Sequence, residues 1–310
     1  MTKFTFTIRN YRPDDFENYV RLQAEAEAHD RCGRYVSAQA VMEFLNWPNF
    51  FPQKNLFLAE TAKNLIGFIS VFLELEIGRA VSDVLVHPRH RRKGVASQLF
   101  ARALGHAREA GARVIQVCLP EADRRARNWA SRLNLQRVRR FLEMRLDIRN
   151  RPPPPVERSG FTLRLLQVGE EDQMTAIQNR SFAGTWGFKP NTTEEITYRL
   201  NLGGRCPEDV VMAYAGDNPV GYCWTTVNPE KNAALKEKKG QIHMLGVDPD
   251  CLQMGLGKEI LLVGLARLQH KGIEVVELTV DSNNQAARAL YESVGFEVCA
   301  NTLWFEKKLN

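Results

Sequence analysis

Four consecutive prolines, Pro152-Pro153-Pro154-Pro155, interrupt the chain almost at its midpoint. Proline cannot donate a backbone hydrogen bond or continue a helix, and a run of it favours a stiff extended segment. The chain divides there, and at 310 residues each half has the length of one ordinary domain. A break at the midpoint invites a comparison of the two sides. Val86-His87-Pro88 lies 161 residues before Val247-Asp248-Pro249, and the same offset carries Gly94 onto Gly255, Ala96 onto Gly257 and Asn134 onto Gly295. Upstream, Thr7-Ile8-Arg9 parallels Thr162-Leu163-Arg164 at an offset of 155, and Gly67-Phe68 parallels Gly221-Tyr222 at 154. Altered loop lengths produce such drift. The expectation is two copies of one α/β unit, residues 1–150 and 159–310, joined by a proline-rich linker over 151–158.

In the second copy the residue pattern predicts the elements one by one. Phe161–Leu165 reads as a short strand, and a helical stretch begins near Glu170. Val211–Ala215 and Val220–Val227 flank the turn Gly216-Asp217-Asn218-Pro219, as the arms of a hairpin do. Gln241–Val247 is a further strand, stopped by Asp248-Pro249. Leu256–His270 places apolar residues at helical spacing and ends on Lys271-Gly272. Val275–Val280 is a strand rich in β-branched residues, Asn284–Val294 a helix closed by Gly295, and Phe296–Leu309 a returning strand. This order predicts an α/β fold with a mixed central sheet flanked by helices, repeated twice.

Composition narrows the function. The apolar share is 44% and the charged share 25%, as in globular proteins, and no apolar run approaches the roughly 20 residues of a membrane span. The N-terminus has no secretory leader pattern, so a cytoplasmic address and no membrane partner are expected. Six cysteines are scattered without a C-x-x-C pair, which argues against both a metal site and a disulfide framework. Residues 1–155 carry a net charge of +10 and residues 156–310 one of −4. The arginines of the first half (Arg124, Arg125, Arg127, Arg132, Arg137, Arg139, Arg140) lack interleaved aromatics or a DNA-reading motif, so nucleic acid is not an expected partner.

The informative junction is strand, loop, helix. After Leu245-Gly246-Val247 comes Leu252-Gln253-Met254-Gly255-Leu256-Gly257-Lys258, then the amphipathic helix. Glycines at 255 and 257 clear side chains where the chain turns into the helix, so the first-turn N–H groups can converge on an anion such as a pyrophosphate. One strand later stands Asn284-Gln285-Ala286-Ala287-Arg288-Ala289-Leu290-Tyr291-Glu292-Ser293-Val294-Gly295-Phe296. Together these segments resemble the GNAT superfamily of N-acetyltransferases, with its [QR]-x-x-G-x-[GA] pyrophosphate loop followed by N-x-x-A-x-x-L-Y-x-x-x-G-F. Further resemblance, in Gly221 through Pro229 and Gly240 through Pro249, is to the tandem mycothiol synthase family.

The resemblance implies direct acetyl transfer from acetyl-CoA, used as co-substrate, to a primary amine, a small molecule before a protein. It assigns Leu245, Gly246 and Val247 to the pantetheine arm, and the loop residues 252–258 with Asn284 and Ala287 to the rest of the cofactor. Tyr291 matches the phenol that protonates the departing sulfur. Leu252 departs from the loop pattern, which removes a polar side chain near the phosphates. The mycothiol synthase general base falls at Gln241, which cannot accept a proton usefully, and a substrate-contacting lysine falls at Thr226. His243, two residues from Gln241 and on the same strand face, is an alternative base. Trp186, Trp224, Thr226 and Thr279 are the expected acceptor contacts. In the first copy Arg91, Gly94 and Ala96 keep the loop and imply a second CoA-like ligand, but Ala130 replaces the phenol. A non-catalytic acyl-CoA-binding regulator is the rival reading.

Overall fold

The computed structural model describes residues 4–30, 33, 35–149 and 160–309, so the proline linker lies outside the described residues. In chain order the first copy runs β1 (Thr7–Asn10), α1 (Phe16–Asp30), α2 (Ala38–Leu45), α3 (Pro52–Asn55), β2 (Leu56–Glu60), β3 (Leu65–Glu74), β4 (Arg79–Val86), α4 (Val95–Glu109), β5 (Val114–Pro120), α5 (Arg124–Arg132) and β6 (Gln136–Asp147). The second runs β7 (Thr162–Leu165), α6 (Glu171–Phe182), α7 (Thr193–Leu200), β8 (Val210–Ala215), β9 (Asn218–Val227), α8 (Pro229–Leu235), β10 (Lys239–Val247), α9 (Leu256–His270), β11 (Val275–Asp281), α10 (Gln285–Val294) and β12 (Glu297–Lys308). The expected α/β class and the duplicated order are both present.

The compact units differ from the two linear halves. Residues 1–139 pack with 302–310, and residues 140–301 form the other unit. In the first unit the strands lie β1-β2-β3-β4-β5-β12, with β4 and β5 parallel and every other pair antiparallel. In the second they lie β7-β8-β9-β10-β11-β6, with β10 and β11 the parallel pair. Each copy has thus given its last strand to the other: Phe141–Asp147 of β6 pair with β11, and Thr302–Lys308 of β12 pair with β5. The reason is the duplication itself. Two equivalent sheet edges accept either of two equivalent strands with the same antiparallel hydrogen bonds, and nothing local in a strand names its edge.

Strand alternation sorts the second unit into two faces. Ile242, Val276, Leu278, Val280, Leu142 and Met144 face α9 and α10 in one apolar core with Ile260, Leu261 and Leu265. On the other face Met212, Tyr222 and Trp224 pack with Ile177 of α6 and Ile196 and Leu200 of α7. Gln241 pairs with Glu277, and Thr279 with Glu143, so these four project from the face opposite α9 and α10.

The first unit repeats the frame. Gly67 pairs with Val86 as Gly221 pairs with Val247. Arg92 and Gly94 have φ of 66° and 82°, against 64° and 80° at Gln253 and Gly255. The left-handed turn into the helix therefore survives in both copies.

Candidate functional site

Strands β10 and β11 part almost as soon as they meet. Their parallel pairing covers only Lys239, Gly240 and Gln241 against Val275, Val276 and Glu277, while β9 stays paired to β10 through Val247. Beyond Gln241, the edge of β10 that faces β11 has no strand partner among the described residues. Its peptide groups can pair with an amide-bearing chain laid in the gap. Leu245, Gly246 and Val247, which the sequence assigns to a pantetheine arm, lie on that stretch.

At the end of β10 the chain makes a short turn over Pro249–Cys251, passes Leu252, and enters α9 through Gly255. A side chain at Gly255 would meet nothing within 4 Å, but its φ of +80° lies where L residues are strained. The Lys258 and Glu259 N–H groups already bond the Gly255 carbonyl, at 3.1 and 3.2 Å, whereas those of Leu256 and Gly257 make no backbone hydrogen bond with the described residues and remain available to an anion, with the helix dipole behind them. Leu252 and Met254 are exposed at 58% and 55% and put no polar group beside these donors. A Cβ on Gly257 would lie 3.5 Å from both Val247 and Leu290, so α10 passes directly over the start of α9.

Tyr291 follows Leu290 on α10. Its ring packs 5.8 Å from that of Phe296, and it is 7% exposed. Burial raises its phenol above the usual range, with a smaller push from Cys223, so the hydroxyl stays protonated across the physiological range. Asn284 caps α10: its Oδ1 accepts the Ala287 N–H at 3.1 Å. That engagement gives Asn284 and Ala287 a structural role first. Asp123 caps α5 of the first copy the same way, receiving the N–H groups of Arg125 and Ala126.

Beside the parted strands lies a cavity of about 390 Å³, lined by Glu143, Met144, Gln241, Ile242, His243, Glu277, Leu278, Thr279 and Cys299. Three expected residues, Gln241, His243 and Thr279, meet here. Two carboxylates join them that the sequence reading did not single out. Glu277 is held 3.3 Å from the Lys239 ammonium. Glu143, which arrives on the exchanged strand β6, forms no side-chain hydrogen bond or ion pair with the described residues. The Trp186 ring lies tilted against that of Phe141, at 5.9 Å between centres, and Phe141 stands two residues before Glu143 on β6.

The structure corrects several expectations. His243 cannot serve as the base, because its Nε2 accepts a hydrogen bond from Arg199 Nη2 at 3.0 Å. Burial first, then the Arg199 and Arg205 guanidinium groups, lower its pKa to about 3. Gln241 lines the cavity but is an amide. Trp224 is fully buried, its ring meeting His243 edge-on at 4.8 Å, so it supports the wall rather than touching an acceptor. Thr226, at 4% exposure, lies beside Gln241 and outside the cavity lining. In the first unit Arg91 gives both terminal nitrogens to Asp30 and Nε to the Val86 carbonyl, so it is not held ready for a phosphate. Ala130, where the second copy has Tyr291, is fully buried.

No group of three or more His, Cys, Asp or Glu among the described residues is arranged to hold a metal ion, and no described helix is long and apolar enough to cross a membrane.

A mixed sheet whose central strands part above a glycine-turned helix start defines an acyl-transferring class of α/β protein. The chain belongs to the acetyltransferase (GNAT) family, whose model matches residues 16–134 and 171–296, and it is an acyltransferase. It is 31% identical over 288 residues to the mycothiol acetyltransferase of Actinosynnema mirum, covering 92% of this chain and 93% of that one. The mycothiol acetyltransferase of Geodermatophilus obscurus is 32% identical over 227 residues, 71% of each chain. Among solved structures, a GCN5-related N-acetyltransferase from Sphaerobacter thermophilus superimposes with a TM-score of 0.75 at 21% identity, covering 98% of this chain and 96% of that one. A tandem GNAT protein of the clavulanic acid biosynthesis pathway gives 0.73 at 18% identity, with 99% of both chains covered.

Proposed function

We propose that the second unit transfers an acetyl group from acetyl-CoA directly to the primary amine of a small molecule. The observation that carries this reading is the parting of β10 from β11 after Gln241, with the carboxylate-lined cavity beside the gap. The residues present fit the co-substrate: free N–H groups at the start of α9 suit the diphosphate, and the open edge of β10 suits the pantetheine amides. Bound there, acetyl-CoA supplies an activated thioester.

Glu143 is the carboxylate with no partner among the described residues, so it can receive the acceptor ammonium and then its proton. The freed nitrogen lone pair forms the new C–N bond, the C–S bond breaks, Tyr291 gives its phenolic proton to the leaving thiolate, and the surplus proton on the amide nitrogen passes to solvent. Solvent then returns a proton to Tyr291 and removes one from Glu143. Glu277 adds negative potential, tempered by Lys239. Gln241 and Thr226 set the acceptor apart from the mycothiol precursor. The first unit, with its loop intact and Ala130 for the phenol, is a degenerate copy, with Gly94 and Ala96 as the place for a second CoA-like ligand.

The test is thiol release from acetyl-CoA with a panel of primary amines. Amine-dependent release should fall about 10²–10⁴-fold in Glu143→Gln, the range of a lost general base. Binding of acetyl-CoA without release for any amine would favour the non-catalytic regulator instead.

A further inference from the structure

We propose that Arg180 is a positioning residue for the diphosphate grip: from α6 it ties down the turn that carries the chain from β10 to the start of α9. This role rests on reading that start as the diphosphate site.

The tether is built twice in this chain, with its polarity reversed. The copies are in register here, because Arg9 grips Asp15 by two hydrogen bonds of 2.7 Å and Arg164, 155 residues on, grips Glu170 at 2.7 and 2.8 Å. At that offset α1 and α6 both begin, at Phe16 and Glu171, and Glu25 falls on Arg180. The 161-residue offset of the loop carries His87 onto Asp248. Arg180 Nε lies 2.6 Å from Asp248 Oδ2, and its Nη2 donates to Asp248 Oδ1 at 3.0 Å and to Asp250 Oδ2 at 2.7 Å. In the first unit Glu25 Oε2 lies 3.3 Å from His87 Nε2. The Arg89 N–H bonds His87 Nδ1 at 3.3 Å, which requires a lone pair there and leaves the ring hydrogen on Nε2. A neutral imidazole thus donates to Glu25, from loop to helix, where Arg180 donates from helix to loop.

The two tethers agree in their surroundings. The loop-side partner is the buried one, with side-chain exposure of 8% at Asp248 and 14% at His87, against 58% at Arg180 and 55% at Glu25. The same side chain caps its own turn, accepting the Asp250 or the Arg89 N–H. Its backbone N–H reaches the equivalent strand carbonyl, Val220 at 2.8 Å or Ile66 at 2.9 Å. Both residue types differ between the copies while the link stays, so the link is what the two loops share. In the first unit Arg91 adds a second hold, on Asp30 and the Val86 carbonyl. Leu252 stands in its place, and Leu252, Gln253 and Met254 make no side-chain hydrogen bond with the described residues. Side-chain anchoring of this stretch therefore falls to Arg180. Its helix is a firm base, since Met174 and Ile177 pack with Tyr222 and Trp224, and Ser181 abuts Gly246 of β10. Two N–H groups that must converge on one diphosphate gain from a loop fixed beforehand.

The test is CoA titration calorimetry on the full chain, with acetyl-CoA kinetics beside it. Arg180→Met should weaken CoA binding about three- to fivefold, the ceiling for a half-exposed ion pair, and raise KM for acetyl-CoA alike with kcat within about twofold. Asp248→Asn keeps the cap and removes a negative charge beside an anion site. Charge attraction alone would make it bind more tightly; loss of the tether makes it bind more weakly. Arg180→Glu should be worse than Arg180→Met. Combined with Asp248→His, which copies the first unit, it should return to within about twofold of wild type, although with a neutral imidazole its net charge equals that of Arg180→Met. Without any ligand, amide exchange over residues 252–257 should quicken about three- to fivefold in Arg180→Met, a readout that needs neither CoA nor turnover. Tighter binding by Asp248→Asn, no recovery in the reversed pair, or unchanged CoA affinity and exchange in Arg180→Met would overturn the proposal while wild type still binds CoA. A wild type that binds no CoA would overturn the diphosphate reading and this role with it.

Discussion

Replacing Tyr291 by phenylalanine removes one oxygen and leaves the packing in place. The ring keeps its contact with Phe296 and its place in the core under α10. The hydroxyl makes no hydrogen bond with the described residues, so its loss orphans no donor or acceptor. Taking an unpaired hydroxyl out of a 7% exposed site should change stability by between zero and about +1 kcal/mol, or up to roughly 4 °C in midpoint for a unit of this size. Activity should move the other way. A lost proton donor to the leaving thiolate costs about 10²–10⁴-fold, equivalent to roughly 2.7–5.4 kcal/mol of transition-state stabilisation. The sign with pH also follows. Burial raises the folded-state phenol pKa, so the neutral phenol contributes fully below the unfolded value near about 10, and that contribution is lost as pH rises through the folded value. The Phe variant should therefore lose less stability than wild type in strong alkali. Thermal unfolding and steady-state acetylation on the same preparations decide the matter. Activity within threefold of wild type would show that sulfur leaves without the phenol, and a midpoint several degrees lower would show that the hydroxyl is structural.

Gly246→Ala should destabilise the second unit by about 1–3 kcal/mol, seen by calorimetry, because its Cβ would lie 2.5 Å from Tyr222 Cε1 and 2.9 Å from Ser181 Cβ. An unchanged midpoint would mean that β10 shifts freely past α6. Leu252→Arg should tighten CoA binding by about three- to tenfold in low salt, with the gain lost in high salt; an unchanged affinity by titration calorimetry would mean that no diphosphate sits beside position 252. In the first unit, hydrogen bonds from Arg9 hold the Asp15 carboxyl below its usual range. That pair stabilises fully above the unfolded value near about pH 4 and is lost as pH falls through the lowered folded value. Arg9→Met should therefore lose stability at neutral pH and converge on wild type in acid, whereas a constant gap across pH would contradict the linkage.

Much of the frame was legible because it rests on local rules. Gly255 and Gly295 mark left-handed turns, Asn284 caps a helix, and helical spacing over Leu256–His270 matches α9 residue for residue. Asn134 matches Gly295 across the duplication because both take a positive φ after a helix. The wall of the cavity was not legible. Glu143 stands 98 residues before Gln241 and reaches the same cavity only because β6 crosses to the other unit. The Arg199–His243 contact spans 44 residues and depends on the β10 register shift, which alternation along the strand does not announce. Trp224 read as an acceptor contact alongside Trp186, and three-dimensional packing alone shows it closed off.

The traded strands make each stretch of sequence depend on the other for a complete sheet. A gene cut between the two copies would encode fragments that each lack one sheet edge and carry a surplus ribbon suited to the other, a combination prone to mispairing. The segment ahead of the linker thus supplies Glu143 to the cavity of the second unit, and a cut at the linker would take that wall residue away with it.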